Sequence, residues 1–135
     1  MTLQWTQALA TGIAEIDEQH QELFRRIDRL LDASLGGDPA EVTRMLGFLR
    51  EYVDQHFAAE ERFMEEQRYP GLRGHRAEHV QLLEQVRVLD VEHRASGSSP
   101  ATATGMHRLL SDWLRTHIGL SDAAMASFVR RARRG

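Results

Sequence analysis

Apolar residues recur every three or four positions through most of this chain, and this spacing predicts helices that each bury one face. Four stretches show the pattern, and no convincing alternation of period two indicates a strand. The apolar positions are, in chain order, Ile16, Leu23, Phe24, Ile27, Leu30, Leu31 and Leu35; Val42, Met45, Leu49, Tyr52, Val53, Phe57, Phe63 and Met64; Val80, Leu82, Leu83, Val86 and Leu89; Met106, Leu109, Leu110, Trp113 and Leu114. The class predicted is therefore all-α.

Residues that start and stop helices divide these stretches. Asp17 is a candidate N-cap for the first helix, Gly36-Gly37 ends it, and Asp38-Pro39 is a favourable start for the second. Tyr69-Pro70-Gly71 ends the second helix, the third runs over about 72–94, and residues 95–104 form a flexible connection. We predict an antiparallel, up-down-up-down four-helix bundle followed by a short C-terminal helical segment.

Composition excludes several classes of protein. The length of 135 residues fits a single domain, 1–135, and the absence of cysteine rules out disulfides, thiolate zinc sites and cysteine-ligated clusters. A formal net charge of −3 gives no reason to expect nucleic acid as a partner. No apolar run is long enough to cross a bilayer and no secretory signal is present, so we expect a cytoplasmic protein without stable membrane insertion.

Five of the seven histidines fall in register with the apolar faces of the predicted helices. His56 and Glu60, like His75 and His79, lie four residues apart, which places each pair on one helix face. A single inward histidine is usually satisfied by one hydrogen bond. Five of them with a glutamate would fill a bare core with polar groups that need partners, and a metal accepts all their lone pairs at once. The inward histidines are His20, His56, His75, His79 and His117.

Five histidines and a carboxylate are too many ligands for one tetrahedral zinc. If two six-coordinate metals shared two carboxylates and one solvent oxygen, a single position would stay open for a small molecule. Asp122 is the candidate second carboxylate. It follows His117 by five residues, which on a regular α-helix would turn it about 140° away. We therefore predict a π-turn or a break near Gly119.

The motifs that carry these residues resemble the hemerythrin family, and within it the single-domain bacterial members, along nearly the whole chain. They are Ile16-Asp17-Glu18-Gln19-His20; His56-Phe57 with Glu60-Glu61; Tyr69-Pro70 before His75 and His79; and Trp113-Leu114 with His117-Ile118 and Asp122. The resemblance implies a non-haem di-iron centre that binds O2 reversibly, for oxygen transport, storage or delivery. Myohemerythrin, a related protein, is a known four-helix bundle.

By the same resemblance, His75, His79 and His117 hold one iron, and His20 and His56 hold the other. Glu60 and Asp122 bridge both irons together with an oxo or hydroxo group, and the two-histidine iron keeps the open position. Apolar residues flank these ligands and are candidates for a dry O2 pocket, although plain core packing would explain them equally well. The pocket candidates are Leu23, Phe57, Trp113, Leu114 and Ile118.

Other functions stay open at this point. The same ligands would suit a di-iron oxidase, a peroxidase, a nitric-oxide-handling enzyme or an oxygen or redox sensor, although a carrier rather than an enzyme is favoured. Iron itself rests on the resemblance, because such ligands also suit zinc, manganese, nickel and copper. We expect a monomer with O2 as its ligand and a transient delivery partner at most. His93 and His107 are predicted to face solvent, Glu61 to lie at the surface, and the arginine-rich tail to form a frayed, solvated helix end.

Overall fold

The computed structural model describes residues 5–97 and 100–134, and within these it contains helices and no strand. Five α-helices follow a short 3₁₀ turn at Gln7–Leu9, and a π-helical segment, His117–Asp122, separates the last two. The α-helices are α1 (Ala14–Gly36), α2 (Pro39–Glu66), α3 (Leu72–Ser96), α4 (Pro100–Thr116) and α5 (Ala123–Arg134). The predicted all-α bundle with a C-terminal helical segment is confirmed.

Short connections make each long helix run antiparallel to the one before it. Helix α1 packs against both α2 and α4, and α2 packs against α3. Among the parts of the chain that the structure describes, no helix combines the length and the apolar character needed to cross a membrane.

Local residues explain where α2 begins and where α1 ends. Asp38 caps α2 by accepting hydrogen bonds from the backbone N–H groups of Ala40 (3.0 Å) and Glu41 (3.5 Å), and Pro39 occupies the first turn. Gly37 ends α1 with a left-handed backbone, φ 74°, which glycine adopts without strain. These predicted boundaries are confirmed.

The predicted cap of α1 is wrong. The helix begins at Ala14, with Ile13 as its N-cap, so Asp17 lies inside the first turn. Its carboxylate accepts hydrogen bonds from Thr11 N (2.8 Å), Thr11 Oγ1 (2.8 Å) and Gly12 N (3.2 Å). Asp17 thus accepts hydrogen bonds from the loop before the helix. The spacing of the apolar residues does not indicate that α1 begins three residues earlier, at Ala14.

One contiguous core joins α1, α2, α3 and α4 and includes most of the predicted apolar positions. Three of those positions are exposed instead: Leu35 (50%), Val80 (59%) and Leu109 (41%). Each directly adjoins a buried residue, Ser34, His79 and Leu110 respectively. Since successive helical residues point about 100° apart, the neighbour of a buried residue is turned away from the core.

The predicted flexible connection at 95–104 is shorter than expected. Helix α3 continues to Ser96, and α4 begins at Pro100, where proline suits the first helical turn. Gly97 ends α3 with a φ of 74°, while the predicted connection at Ser98 and Ser99 lies outside the described residues. Residues 101–104 are therefore helical rather than extended linker.

Candidate metal centre

Seven polar residues from three helices and the π-helical segment converge inside the bundle. Each is at most 3% exposed. Helix α1 supplies one, α2 and α3 supply two each, and the π-helical segment supplies two. They are His20, His56, Glu60, His75, His79, His117 and Asp122, which are all of the predicted ligands.

Three imidazoles form the first group, which we call the three-histidine group: His75, His79 and His117. The Nε2 atom of His75 lies 2.6 Å from Glu60 Oε1 and 2.9 Å from Asp122 Oδ1. The Nε2 atoms of His79 and His117 are 3.1 Å apart. The Nε2 atom of His79 is 3.2 Å from Glu60 Oε1, and the Nε2 atom of His117 is 3.3 Å from Asp122 Oδ1. Five ligand atoms thus surround one point.

His20 and His56 form the second group, which we call the two-histidine group. The Nε2 atom of His56 is 3.3 Å from Glu60 Oε2, and that of His20 is 3.1 Å from Asp122 Oδ2. Glu60 and Asp122 therefore each direct one carboxylate oxygen toward the three-histidine group and the other toward the two-histidine group. This is the arrangement that a pair of bridging carboxylates requires.

The π-helical segment His117–Asp122 brings its two end residues to the same side of the chain. Its wider i→i+5 turn spans the five-residue interval that an α-helix would rotate by about 140°. The predicted irregularity around Gly119 is confirmed. A Cβ on Gly119 would meet no atom within 4 Å, so the wider turn does not depend on the missing side chain there.

The donor atoms fit a metal because several of them are buried without a hydrogen-bond partner. These atoms are Glu60 Oε2, both oxygens of Asp122 and the Nε2 atom of His20. Each buried polar group without a partner costs about 1–3 kcal/mol, and carboxylates cost more. A cation between the nitrogens and oxygens would satisfy them together. The cluster is accordingly able to hold metal ions.

A family comparison agrees with this cluster. Residues 11–129 match the family model described as the hemerythrin HHE cation binding domain. The chain belongs to the hemerythrin family. The matched domain contains the cluster of histidine, glutamate and aspartate residues that is able to hold a metal.

Relatives of this hemerythrin-family chain cover most of its length. It is 34% identical over 128 residues to a bacteriohemerythrin of Pseudomonas aeruginosa. This alignment covers 95% of this chain and 82% of the relative. It is 31% identical over 119 residues to a bacteriohemerythrin of Methylococcus capsulatus, covering 87% and 89% of the two chains. A crystal structure of wild-type hemerythrin superposes with a TM-score of 0.84 at 28% identity, covering 96% and 98%.

Three polar residues outside the hemerythrin ligand set hold the outer nitrogens of the imidazoles. His56 Nδ1 lies 2.5 Å from Gln19 Oε1. His79 Nδ1 lies 2.8 Å from Glu61 Oε2, and His117 Nδ1 lies 2.8 Å from Glu78 Oε1. With each Nδ1–H donated outward, each Nε2 faces the centre, which is the usual role of such partners in metal sites.

Sequence reasoning missed these partners. Glu61, predicted to lie at the surface, is 21% exposed, and its carboxylate accepts from Arg76 Nε at 2.8 Å as well as facing His79. Each partner directly adjoins a candidate ligand in the chain: Gln19 precedes His20, Glu61 follows Glu60, and Glu78 precedes His79. The neighbour of an inward residue is rotated about 100° toward the adjoining element, so it reaches a ligand there. Adjacency to a ligand was therefore the available signal.

Neighbouring charged groups shift the pKa values of several residues in this hemerythrin-family site. Burial disfavours a charged His20, but the carboxylates of Asp122 and Glu60 outweigh burial and raise its pKa to about 9. The same balance raises the pKa of His75 to about 9 and, with help from Glu78, that of His117 to about 10. Burial raises the pKa of Glu60, but the surrounding imidazoles outweigh it and hold that pKa well below its usual range.

Two of the five predicted pocket residues contact imidazole rings of the cluster, and the other three lie in the same apolar core. The Phe57 ring stacks on His79 at 3.7 Å between centroids with planes 3° apart, and Trp113 stacks on His117 at 4.5 Å. Trp113 is partly buried. Leu23, Leu114 and Ile118 are at most 2% exposed in the same apolar core.

The two remaining histidines are buried, which corrects their predicted exposure. His93 is 7% exposed, with Nε2 3.0 Å from Thr43 Oγ1 and 3.2 Å from the carbonyl oxygen of Pro39. His107 is 5% exposed, with Nε2 3.0 Å from Asp28 Oδ1. Both tie neighbouring helices together, and a polar ring can face inward wherever a partner lies opposite. Neither belongs to the ligand cluster.

The C-terminal arginines continue a helix rather than fraying at once, since α5 extends to Arg134. The Arg130 guanidinium donates a hydrogen bond to the backbone oxygen of Thr11. This contact ties the end of the chain to the loop before α1, which sequence spacing did not indicate.

Proposed function

We propose that this protein binds O2 reversibly at a non-haem di-iron centre, for oxygen transport, storage or delivery. The observation that carries the proposal is the division of Glu60 and Asp122 between two groups of histidines. A single-metal site has no use for two carboxylates that each direct one oxygen to a separate group of nitrogens.

In the proposed centre, the three-histidine group would hold one iron and the two-histidine group the other, and Glu60 and Asp122 would each offer one oxygen to either iron. When bound, the two irons supply the electrons and the open coordination position that O2 needs. The two-histidine group offers one fewer imidazole, which supports assigning the open position to its iron.

The protein's own contribution to this function is orientation. Gln19, Glu61 and Glu78 accept from the Nδ1–H groups and so fix the tautomer in which Nε2 is free to bind metal. Phe57 and Trp113 hold the ring planes of His79 and His117 by stacking. The imidazoles are therefore arranged before any metal arrives.

The second contribution is the apolar core that borders part of the site, which favours a carrier over an oxidase. Leu23, Leu114 and Ile118 are buried in the same apolar core as Phe57, whose ring stacks on His79, and none of the three can deliver a proton. Irreversible oxidation of such a centre by O2 consumes protons, so apolar surroundings that deliver none slow this oxidation. We propose on this ground that the protein is a carrier rather than an enzyme.

A visible spectrum tests the proposal. Iron-loaded protein is reduced anaerobically, freed of reductant, exposed to O2 and then flushed with argon. A charge-transfer band that appears with O2 and fades under argon is the expected result. A band that never forms, or that decays to an oxidised state needing fresh reductant, would overturn the carrier function in favour of an enzyme or redox sensor.

Matched variants make the spectrum specific to the site. His56→Gln removes a proposed ligand, and the expected result is less bound iron and no reversible band. His93→Gln also removes a buried imidazole, but outside the cluster, and should keep both the iron content and the band. Equal behaviour of the two variants would contradict the ligand assignment.

A further inference from the structure

A small cavity opens between α1 and α2, and Glu60, one of the candidate ligands, forms part of its lining. Its volume is about 70 Å³. Ile13, Glu15 and Gln19 line it on the α1 side, and Ala59, Glu60 and Phe63 line it on the α2 side. Since one water needs only about 10–15 Å³ of such space, the cavity has room for an ion with part of its hydration shell.

Oxygen atoms mark the two ends of this cavity. Glu15 is exposed at its mouth, while Glu60 is 1% exposed at its inner end. The Oε2 atom of Glu60 has no hydrogen-bond partner, although the Nε2 atoms of His56 and His20 lie 3.3 Å and 3.6 Å away. A buried carboxylate oxygen in this situation attracts a cation.

Gln19 lies between these two carboxylates. It follows Glu15 by four residues, so both side chains project from the same face of α1. Its amide oxygen accepts from His56 Nδ1 at 2.5 Å, which places the amide next to a proposed ligand. Among the residues that line the cavity, none is a lysine or arginine that would repel a cation.

We propose that this cavity is the route by which divalent metal ions enter the protein, with Glu15 as the residue that captures them. The inference rests on the proposed metal centre and adds the path to it. An incoming ion meets the carboxylate of Glu15, passes the Gln19 amide and reaches Glu60 Oε2 beside the two-histidine group. A neutral gas would gain nothing from the two carboxylates.

The test is the rate at which metal-free protein takes up Co²⁺, followed by stopped-flow absorbance of the bound ion. Glu15→Gln removes the charge at the mouth, and Ala59→Leu narrows the cavity. Each should slow uptake by about two- to tenfold, and added salt should shrink the effect of Glu15→Gln. The amount of Co²⁺ bound at equilibrium should stay unchanged, because neither residue is a proposed ligand.

Two matched controls lie on the same helices. Glu18→Gln removes an exposed negative charge from α1, and Ala58→Leu enlarges an exposed alanine on α2, both outside the cavity lining. Both controls should load at the wild-type rate. Circular dichroism checks folding, and if Ala59→Leu fails to fold, the comparison of Glu15→Gln with Glu18→Gln still decides the role of Glu15.

Equal uptake rates in the cavity variants, their controls and wild type would overturn the route. A change in the rate of O2 binding without a change in Co²⁺ uptake would also overturn it, because the cavity would then admit the gas. Failure of the proposed metal centre looks different: wild-type protein would bind no Co²⁺ at equilibrium, whatever the state of the cavity. Failure of the carrier function alone would leave Co²⁺ uptake intact and abolish the reversible O2-dependent band.

Discussion

His117 Nε2 and Asp122 Oδ1 lie 3.3 Å apart although their residues are five positions apart in one continuous helical stretch. The π-helical segment between them makes this approach possible, since a regular α-helix would turn Asp122 about 140° away. The irregular turn is thus what allows Asp122 to join a site whose other members come from regular helices.

Inserting one alanine after Gly119 should remove Asp122 from the site, because a sixth step rotates the carboxylate further from His117. Deleting Gly119 is the matched change. It leaves the two positions four residues apart, which is the spacing of His56 and Glu60, so metal binding should persist. The measurement is metal content per chain after equilibrium loading. Full loading of the insertion variant would show that the wider turn is dispensable.

Glu78→Ala should weaken metal binding about tenfold or more, the usual effect of removing such a supporting partner. Glu78 accepts from His117 Nδ1 at 2.8 Å and from Ser121 Oγ at 2.7 Å, so its loss frees the ring of His117 to rotate. Competition with a chelator of known affinity measures the change. Glu84→Ala removes an exposed acid of α3 and should leave affinity unchanged, whereas equal losses would point to a general charge effect.

Metal binding should release protons at pH 7. The metal-free protein holds His20 and His75 protonated with pKa values of about 9, and His117 with a pKa of about 10. A metal ion displaces these protons, so up to three are released per chain, and apparent affinity rises with pH until those values are passed. A pH indicator in weak buffer measures the release during titration with Zn²⁺. No release at pH 7 would contradict the raised pKa values.

The same groups make the metal-free protein less stable in alkali. Their folded pKa values lie above the unfolded value of 6.5, so their stabilising contribution is complete below about pH 6.5. It declines above that pH and is lost once the pH passes about 9 to 10. Urea unfolding of metal-free protein at pH 6.5 and pH 10 measures the difference. A midpoint that rises toward pH 10 would refute this linkage.

Leu114→Asn should accelerate irreversible oxidation of the O2-bound protein, because an amide beside the ligands admits water and protons. Leu114 is 2% exposed, so the change should also destabilise the fold by about 2–5 kcal/mol, as other losses of buried leucine do. Leu110→Asn, at an equally buried site one turn earlier, controls for that loss of stability. The decay of the O2-dependent band gives the rate, and equal rates in both variants would argue against shielding by Leu114.

Helical periodicity and the caps at Gly37 and Asp38 were readable from the sequence because they depend on residues close together in the chain. The candidate ligand positions are predictable from the sequence for the same reason, since His56 with Glu60 and His75 with His79 repeat at one helical turn. The π-turn is also predictable, because His117 and Asp122 are five residues apart and a regular α-helix would not place them on the same face.

What the periodicity could not supply was the partner across each helix interface. The sequence predicts that His93 and His107 face solvent, because no local signal shows that Thr43 and Asp28 lie opposite them. It predicts a buried Val80, which is exposed, because the spacing of Val80 alone resembles that of a buried residue.

The sequence by itself therefore determined the helical class, the family and the residues able to bind metal, all of which rest on residue type and spacing along single helices. Tertiary structure alone decided which oxygen of Glu60 faces which histidines, that Glu61 and Glu78 hold the outer nitrogens, and that Gln19 and Glu60 line a cavity between α1 and α2. These features depend on how neighbouring helices are rotated and packed, and a difference of one residue in a helix turns a side chain by about 100°.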